Sequence, residues 1–134
     1  MTGPPVADQI AVVGLRGRGH HGFLAAERRD GQEFVVDLVL HLDTRAAAAS
    51  DDLTDTVSYA SLAQDVMTVV EGEPVDLIET LAQRIADVGL VDRRVEAVDV
   101  TIHKPGAPMP VPFADGHHII FRQYFPIHLL NVIV

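Results

Sequence analysis

The sequence predicts an α+β fold in which a four-stranded antiparallel sheet carries two helices on one face, in the order ββααββ. Apolar residues recur at every second position in stretches near both ends of the chain, which is typical of half-buried strands. Between them, two adjacent stretches have apolar residues at helical spacing. Two adjacent helices inserted in a sheet of hairpin-type connections are expected to pack together on one of its faces.

The first two strands are predicted at Gln9 to Leu15 and at Gln32 to Thr44. The second is the clearer one, because apolar residues occupy every second position of one face, while Asp37, His41 and Asp43 lie on the other. These apolar residues are Phe34, Val36, Leu38, Leu40 and Leu42. Arg16 to Gly22 and a short apolar piece, Phe23 to Ala26, join the two strands, a connection that is too long for a tight hairpin.

The two helices are predicted in the middle of the chain. Before them, an alanine run and a segment rich in hydroxyls and carboxylates predict a connecting loop at residues 45–56. The first helix is expected to follow Ser58 and to stop at Gly72. The second follows Asp76-Leu-Ile-Glu79, which has the form of a capping box, and ends at Gly89.

The third and fourth strands are predicted at Val95 to His103 and at Gly116 to Tyr124. Lys104, the only lysine among ten basic residues, directly follows the third strand, and parity assigns it to the face of Val98 and Val100. Prolines after it end strand pairing. A solvated strand-end lysine is the ordinary explanation, but an amine on so stiff a mount can also act as a general base or form a Schiff base.

The composition indicates a single globular domain over residues 1–134, since 48% of the residues are hydrophobic. The net charge of -9 argues against a nucleic-acid partner, and the absence of cysteine excludes disulfides and thiolate metal sites. Residues 1–7 lack a signal-peptide pattern and are expected to be disordered. No run approaches the ~20 apolar residues of a membrane span, so a cytoplasmic location is expected.

The predicted sheet is open, with one face covered by helices, and so has two free edges. Free edges favour pairing with another copy, and a closed ring of subunits leaves no edge unpaired. We therefore expect a homo-oligomer.

Three acidic or phenolic residues have both a structural and a functional interpretation. Glu79 fits the third position of a capping box, but a carboxylate at a helix start can also accept two parallel hydrogen bonds from an amidine-like ligand. Glu27 fits a solvated loop acid paired with Arg28 or Arg29. Tyr59 fits a helix-start residue with a wet hydroxyl, although a phenol there can relay a proton.

Two adjacent histidine pairs, His20-His21 and His117-His118, raise the question of zinc. Neither pair has the helical spacing of a metal site, and adjacent residues of a strand point to opposite faces. No metal site is predicted.

Four segments together resemble the motifs of the dihydroneopterin aldolase family. They are Gly19-His-His-Gly-Phe-Leu-Ala-Ala-Glu27, Asp55-Thr-Val-Ser-Tyr59, Asp76-Leu-Ile-Glu79 and Ile102-His-Lys104-Pro. They occur in the family's order and spacing, and the resemblance covers an aldolase-like core of residues 8–123. It implies the tunnelling fold, whose subunits assemble edge to edge into tetrameric barrels, and two such rings commonly stack into an octamer.

The resemblance also implies a reaction of folate biosynthesis. In it, 7,8-dihydroneopterin undergoes retro-aldol cleavage to 6-hydroxymethyl-7,8-dihydropterin and glycolaldehyde, and many members also epimerise the substrate to dihydromonapterin. The dihydropterin ring carries a carbon–nitrogen double bond beside the reacting carbon and is its own electron sink. We therefore expect no cofactor, no metal and no enzyme Schiff base, only proton transfer and positioning.

By this resemblance the catalytic residues would be Lys104, Tyr59 and Glu27. Lys104, held near Glu27, would be the main acid-base group through a water, and Tyr59 would handle protonation at the reacting carbon. The substrate-binding residues would be Glu79, Ile78, Val57, Leu24 and Thr56. Glu79 would hold the 2-amino and ring N–H groups of the pterin with help from main-chain groups near Ile78, while Val57 and Tyr59 would come from a neighbouring subunit.

Three alternatives remain open from the sequence. The first is an epimerase acting on dihydroneopterin triphosphate, which needs a basic phosphate pocket. Its candidate ligands are Arg16, Arg18, Arg28 and Arg29. The second is a pterin-binding or assembly protein without catalysis, and the third is an aldolase that forms a Schiff base at Lys104.

The apolar tail of residues 125–134 departs from the family pattern, in which the chain usually ends soon after the fourth strand. An apolar tail is expected to be buried against a neighbouring subunit or to be disordered. It touches none of the four motifs and so bears on the assembly more than on the chemistry.

Overall fold

The computed structural model describes residues 8–114 and 117–124, in which one antiparallel sheet has four strands in sequence order. The strands are β1 (Gln9–Gly19), β2 (Gln32–Leu42), β3 (Val95–Lys104) and β4 (His117–Tyr124). The predicted antiparallel sheet is confirmed, and β1 and β4 form its two edges. The predictions for residues 1–7 and 125–134 lie outside the described residues.

Two long helices lie between β2 and β3, as predicted. One short helix lies between β1 and β2, and a second short helix follows β2. The helices are α1 (Ala25–Asp30), α2 (Arg45–Ser50), α3 (Tyr59–Val70) and α4 (Ile78–Gly89). The prediction of an irregular loop at residues 45–56 was wrong, because its alanine run forms α2 and a one-turn 3-10 helix follows at Leu53–Asp55. Alanine has the highest intrinsic helix propensity, which outweighs the turn-forming residues beside it.

β1 extends beyond the predicted Leu15 to Gly19, so most of the predicted connection between Arg16 and Gly22 is strand. The added residues pair with the start of β2, ending with Gly19 opposite Gln32. A bulge interrupts the pairing between Val12 and Leu15, where Gly14 has a positive φ of 77°. The remaining connection contains α1.

The core lies between one face of the sheet and the two long helices. Every alternate residue of β2 from Phe34 to Leu42 is buried, as the alternation predicts. The helices contribute one buried stripe each: Leu62, Val66 and Val70 from α3, and Ile78, Leu81, Ala82, Ile85 and Ala86 from α4. At Gly89 the helix approaches the sheet so closely that a Cβ atom would lie 3.2 Å from Cγ2 of Val98.

The opposite face of the sheet is polar along its two central strands. His103 Nε2 lies 3.1 Å from Asp37 Oδ2, and His41 Nε2 lies 2.9 Å from Asp99 Oδ2. Arg122 of β4 also pairs with Asp99. Within the described residues, the helices therefore cover one face of the sheet only. In the described part of the chain, no helix is long and apolar enough to cross a membrane.

Candidate functional site

An ion pair with little solvent exposure lies where β3 ends. Lys104 Nζ is 2.5 Å from Glu27 Oε2, and the two side chains are only 12% and 9% exposed. The ordinary explanations of a solvated lysine and a solvated loop acid are therefore both wrong. Glu27 is not paired with the arginines that follow it, since Arg28 pairs with Asp76 and Arg29 pairs with Asp30.

The Glu27 carboxylate accepts further hydrogen bonds. Leu24 N–H donates to Oε1 at 3.2 Å, and Gln32 Nε2 donates to Oε2 at 3.0 Å. Burial raises the pKa of Glu27, whereas hydrogen bonds from Lys104, Leu24 and Gln32 lower it. The hydrogen bonds together have the larger effect, so the pKa of Glu27 lies below its ordinary value. At neutral pH the group is therefore a carboxylate that can only accept hydrogen bonds.

Gly22 leaves the space that the Glu27 carboxylate occupies. Its φ is +150°, and a Cβ atom there would lie 2.5 Å from Cδ of Glu27. A side chain at this position would push the carboxylate away from Lys104, so the glycine of the first motif serves the ion pair directly.

Gln32 belongs to this cluster, although the sequence did not single it out. It opens β2 and orients the Glu27 carboxylate through its amide nitrogen. Its Oε1 is buried and has no hydrogen-bond partner among the described residues. Nothing in the sequence distinguishes a glutamine at the start of a strand from any other polar residue at such a position.

The carboxylate of Glu79 is unpaired within residues 8–114 and 117–124. Leu77, not Asp76, is the N-cap of α4, and no side chain caps this helix start. The predicted capping box is therefore wrong, because Asp76 pairs with Arg28 instead. Glu79 lies exposed in the first turn of the helix, where the helix dipole favours an anion, while its neighbour Ile78 is buried in the core.

Arg28 fastens the start of α4 to the segment that carries Glu27. Its Nε donates to Gly22 O at 2.9 Å, and its guanidinium pairs with Asp76. Gly22 N–H in turn donates to Val75 O at 2.9 Å. These contacts bring the ion pair and the first turn of α4 to the same end of the molecule, together with the exposed Leu24.

The other predicted site residues lie at the opposite end. Arg94, just before β3, donates hydrogen bonds to Thr54 O at 2.7 Å and Thr56 O at 3.0 Å. β3 then runs from Val95 to Lys104, a distance of about 30 Å at the usual rise per strand residue. Thr56, the half-buried Val57 and the exposed Tyr59 are therefore not brought near Lys104 within one chain.

His21 is a buried histidine whose hydrogen bonds hold the loop before α4. Its Nδ1 accepts a hydrogen bond from Val75 N–H at 3.1 Å, so its Nε2 carries the hydrogen and donates to Val70 O at 2.7 Å. Burial lowers the pKa of this imidazole, and the positive charges of Arg28 and Arg84 add to that effect. Protonation of Nδ1 would replace the acceptor of the Val75 N–H group with a second donor, so the folded structure opposes it.

We expect the free energy of unfolding to fall as the pH drops below about 6.5, the ordinary pKa of histidine in an unfolded chain. The folded state resists protonation of His21, so its contribution to stability is complete above that pH and is lost progressively below it. Urea titrations between pH 5 and 8 should show a smaller pH dependence for His21→Gln than for the unaltered chain. His20→Ala is the matched control, and an unchanged slope in His21→Gln would contradict this assignment.

No group of three or more histidine, cysteine, aspartate or glutamate side chains that could hold a metal ion occurs in the described ranges. His20 and His21 are engaged separately, since His20 Nδ1 lies 2.9 Å from Arg28 O. The structure does not describe the side chains of the second histidine pair.

The family model and the curated relatives that match this chain agree on one family. A family model described as dihydroneopterin aldolase matches residues 10–120, from β1 into β4. A dihydroneopterin aldolase of Streptomyces coelicolor is 59% identical over 116 residues, which cover 87% of this chain and 98% of that protein. One of Bacillus subtilis is 42% identical over 112 residues, covering 83% and 89%. The Escherichia coli dihydroneopterin aldolase solved with neopterin matches with a TM-score of 0.78 at 30% identity, covering 87% of this chain and 98% of that one.

Proposed function

Because the chain belongs to the dihydroneopterin aldolase family, we propose that Lys104 and Glu27 form the acid-base centre of its reaction. The chain acts as a dihydroneopterin aldolase, a lyase of folate biosynthesis. The observation that carries the assignment of residues is the ion pair of Lys104 and Glu27, which has little solvent exposure. It lies at the same end of the molecule as the Glu79 carboxylate, which has no partner among the described residues and is suited to a pterin.

The proposed mechanism moves two protons. Lys104 acts in its neutral amine form, and through a water it takes the proton of the hydroxyl on the second side-chain carbon of 7,8-dihydroneopterin. The bond to the first side-chain carbon breaks, glycolaldehyde leaves, and the electron pair enters the carbon–nitrogen double bond of the ring. Tyr59 of a neighbouring subunit then handles protonation of the first side-chain carbon, which gives 6-hydroxymethyl-7,8-dihydropterin. Epimerisation follows if glycolaldehyde recombines before it departs.

Glu27 holds the amine of Lys104 in place during these transfers. Its carboxylate is fixed by Leu24 N–H and Gln32 Nε2, so the amine is directed by a group that cannot itself rotate freely. Such positioning reduces the entropy cost of reaching the reactive geometry.

The pterin ring would be held by Glu79. The carboxylate can accept two parallel hydrogen bonds from the 2-amino and ring N–H groups, and it makes no competing contact with the described residues. Main-chain groups near Ile78 and the side chain of Leu24 would line the same pocket, while Thr56 and Val57 would approach from the neighbouring subunit.

The proposed assembly is a tetrameric ring, with two rings stacked into an octamer, in the cytoplasm. Two features support the ring. Both edges of the sheet, β1 and β4, lack a strand partner within the described part of one chain. In addition, the predicted site residues divide into two groups at opposite ends of the molecule, and a neighbouring copy would bring the groups together.

The triphosphate epimerase is less well supported, because each candidate phosphate ligand is already engaged. Arg16 pairs with Glu33, Arg29 pairs with Asp30, and Arg18 donates to Asp30 O at 2.6 Å. Arg28 pairs with Asp76. Comparing turnover of dihydroneopterin with turnover of its triphosphate tests this directly.

The activity test is incubation with 7,8-dihydroneopterin, followed by detection of glycolaldehyde and 6-hydroxymethyl-7,8-dihydropterin. We expect both products in equal amounts, and their absence would reject the aldolase. Borohydride added during turnover should leave the mass of the protein unchanged, whereas an adduct at Lys104 would replace acid-base catalysis with a Schiff-base mechanism.

A further inference from the structure

We propose that Arg94 is a positioning residue that holds the segment from Thr56 to Tyr59 in the geometry required by the site of a neighbouring subunit. The inference rests on the proposed function, in which this segment completes a site that Lys104, Glu27 and Glu79 begin on another copy. Arg94 itself touches neither substrate nor reacting atoms.

The guanidinium of Arg94 joins two parts of the chain. Its Nη1 donates to Thr54 O at 2.7 Å, and its Nη2 donates to Thr56 O at 3.0 Å. On the other side, Nε lies 3.0 Å from Asp92 Oδ1 and Nη2 lies 2.7 Å from Asp92 Oδ2. The planar group therefore makes a bidentate contact with a carboxylate and two contacts with backbone carbonyls, which a lysine cannot reproduce.

Asp92 fixes the orientation of this arginine. Its Oδ1 also accepts a hydrogen bond from Arg94 N–H at 2.9 Å, so the acid and the arginine are locked together in the turn before β3. The Arg94 hydrogen bonds lower the pKa of the Asp92 carboxyl against the opposing effect of burial, which keeps the pair charged. The hydrogen bonds of Asp92 thus fix the position of the guanidinium.

The segment that Arg94 holds has little regular structure of its own. Thr56 and Ser58 have extended backbone angles, and the segment lies between the one-turn helix at Leu53–Asp55 and the first turn of α3. Tyr59 directly follows and is 67% exposed, so the described residues do not fix its ring by packing. Its direction depends on the backbone that leads into α3, and Arg94 binds that backbone to the sheet.

Arg94→Ala is expected to lower turnover by roughly 10- to 100-fold, because small displacements of a catalytic group have effects of this size. Arg93→Ala is the matched control, since the adjacent Arg93 is exposed and has the same charge. Arg94→Lys keeps the charge but loses the planar fork and should recover only part of the activity. Equal activity of the Arg94→Ala and Arg93→Ala proteins would overturn the proposal.

Rings that contain two different variants distinguish a role of Arg94 in the site of a neighbouring subunit from a general loss of structure. Coexpressed Arg94→Ala and Lys104→Ala chains should form rings in which about a quarter of the sites combine an intact Lys104 with an intact Arg94 segment. Activity should therefore exceed that of either variant alone. Arg94→Lys mixed with Lys104→Ala provides the same test should the alanine variant fail to fold, and recovery is then activity above the average of the two separate variants.

Tyr59→Phe mixed with Lys104→Ala is the reference experiment. Recovery in this pair without recovery in the Arg94 pairs would overturn the role of Arg94 and leave the shared site intact. Failure of the reference pair would instead reject the arrangement in which Tyr59 and Lys104 belong to different subunits. The two failures are thus distinguishable.

Discussion

Replacing Lys104 with alanine is expected to lower turnover by roughly 100-fold or more while leaving pterin binding nearly normal. Loss of a general acid-base group typically costs two to four powers of ten in rate. The pterin ring would still be held by Glu79, which belongs to α4 and not to the ion pair. Single-turnover rates and pterin dissociation constants, measured on the same preparations, would separate the two effects.

Lys104→Arg tests whether the lysine acts through its proton or only through its charge. A guanidinium can keep a charged contact with the Glu27 carboxylate, but it remains protonated near neutral pH and cannot exchange protons there. We therefore expect Lys104→Arg to remain almost inactive. Recovery of most of the activity would show that the residue supplies charge alone, and a thermal unfolding curve for each variant would control for loss of structure.

The period-two and helical patterns predicted the long elements well. Strict alternation in β2 reflects a strand buried on one face, and the serine before α3 does accept a backbone hydrogen bond, from Ser61 N–H at 3.4 Å. These features are local, so sequence spacing reports them directly. The alanine-rich helix α2 was missed because it buries no residue and leaves no apolar stripe.

The site was less accessible from the sequence, because its contacts join distant segments. Whether Glu27 is a solvated acid or the partner of Lys104 depends on how α1 packs against the end of β3. The prediction of a capping box was wrong for the same reason. Asp76 pairs with Arg28, which is distant in the sequence, and does not cap the helix. The resemblance to a family identified the candidate residues and already implied that Tyr59 comes from a neighbouring subunit, and the distance between Tyr59 and Lys104 within one chain agrees with that expectation.

Glu79→Gln is expected to weaken pterin binding by roughly 100-fold. A hydrogen bond to a charged group contributes about 1.5–3 kcal/mol, and the amide would lose one acceptor and present an N–H group to a donor on the pterin. Loss of one such bond, together with the pterin N–H group left without an acceptor, corresponds to about 3 kcal/mol, and each 1.4 kcal/mol is a factor of ten in affinity. Fluorescence or calorimetric titration with neopterin would measure the change.

The same variant should leave the free energy of unfolding within about 0.5 kcal/mol, as is usual for exposed positions without structural contacts. Leu77 is the N-cap of α4 and Glu79 is exposed, so the helix does not need this carboxylate to begin. Glu73→Gln, at an exposed position in the loop before α4, is the matched control for the loss of one negative charge. If Glu79→Gln bound the pterin as tightly as Glu73→Gln, the ring would have to be recognised elsewhere. If it unfolded more easily, the carboxylate would have a structural role that the geometry of α4 does not predict.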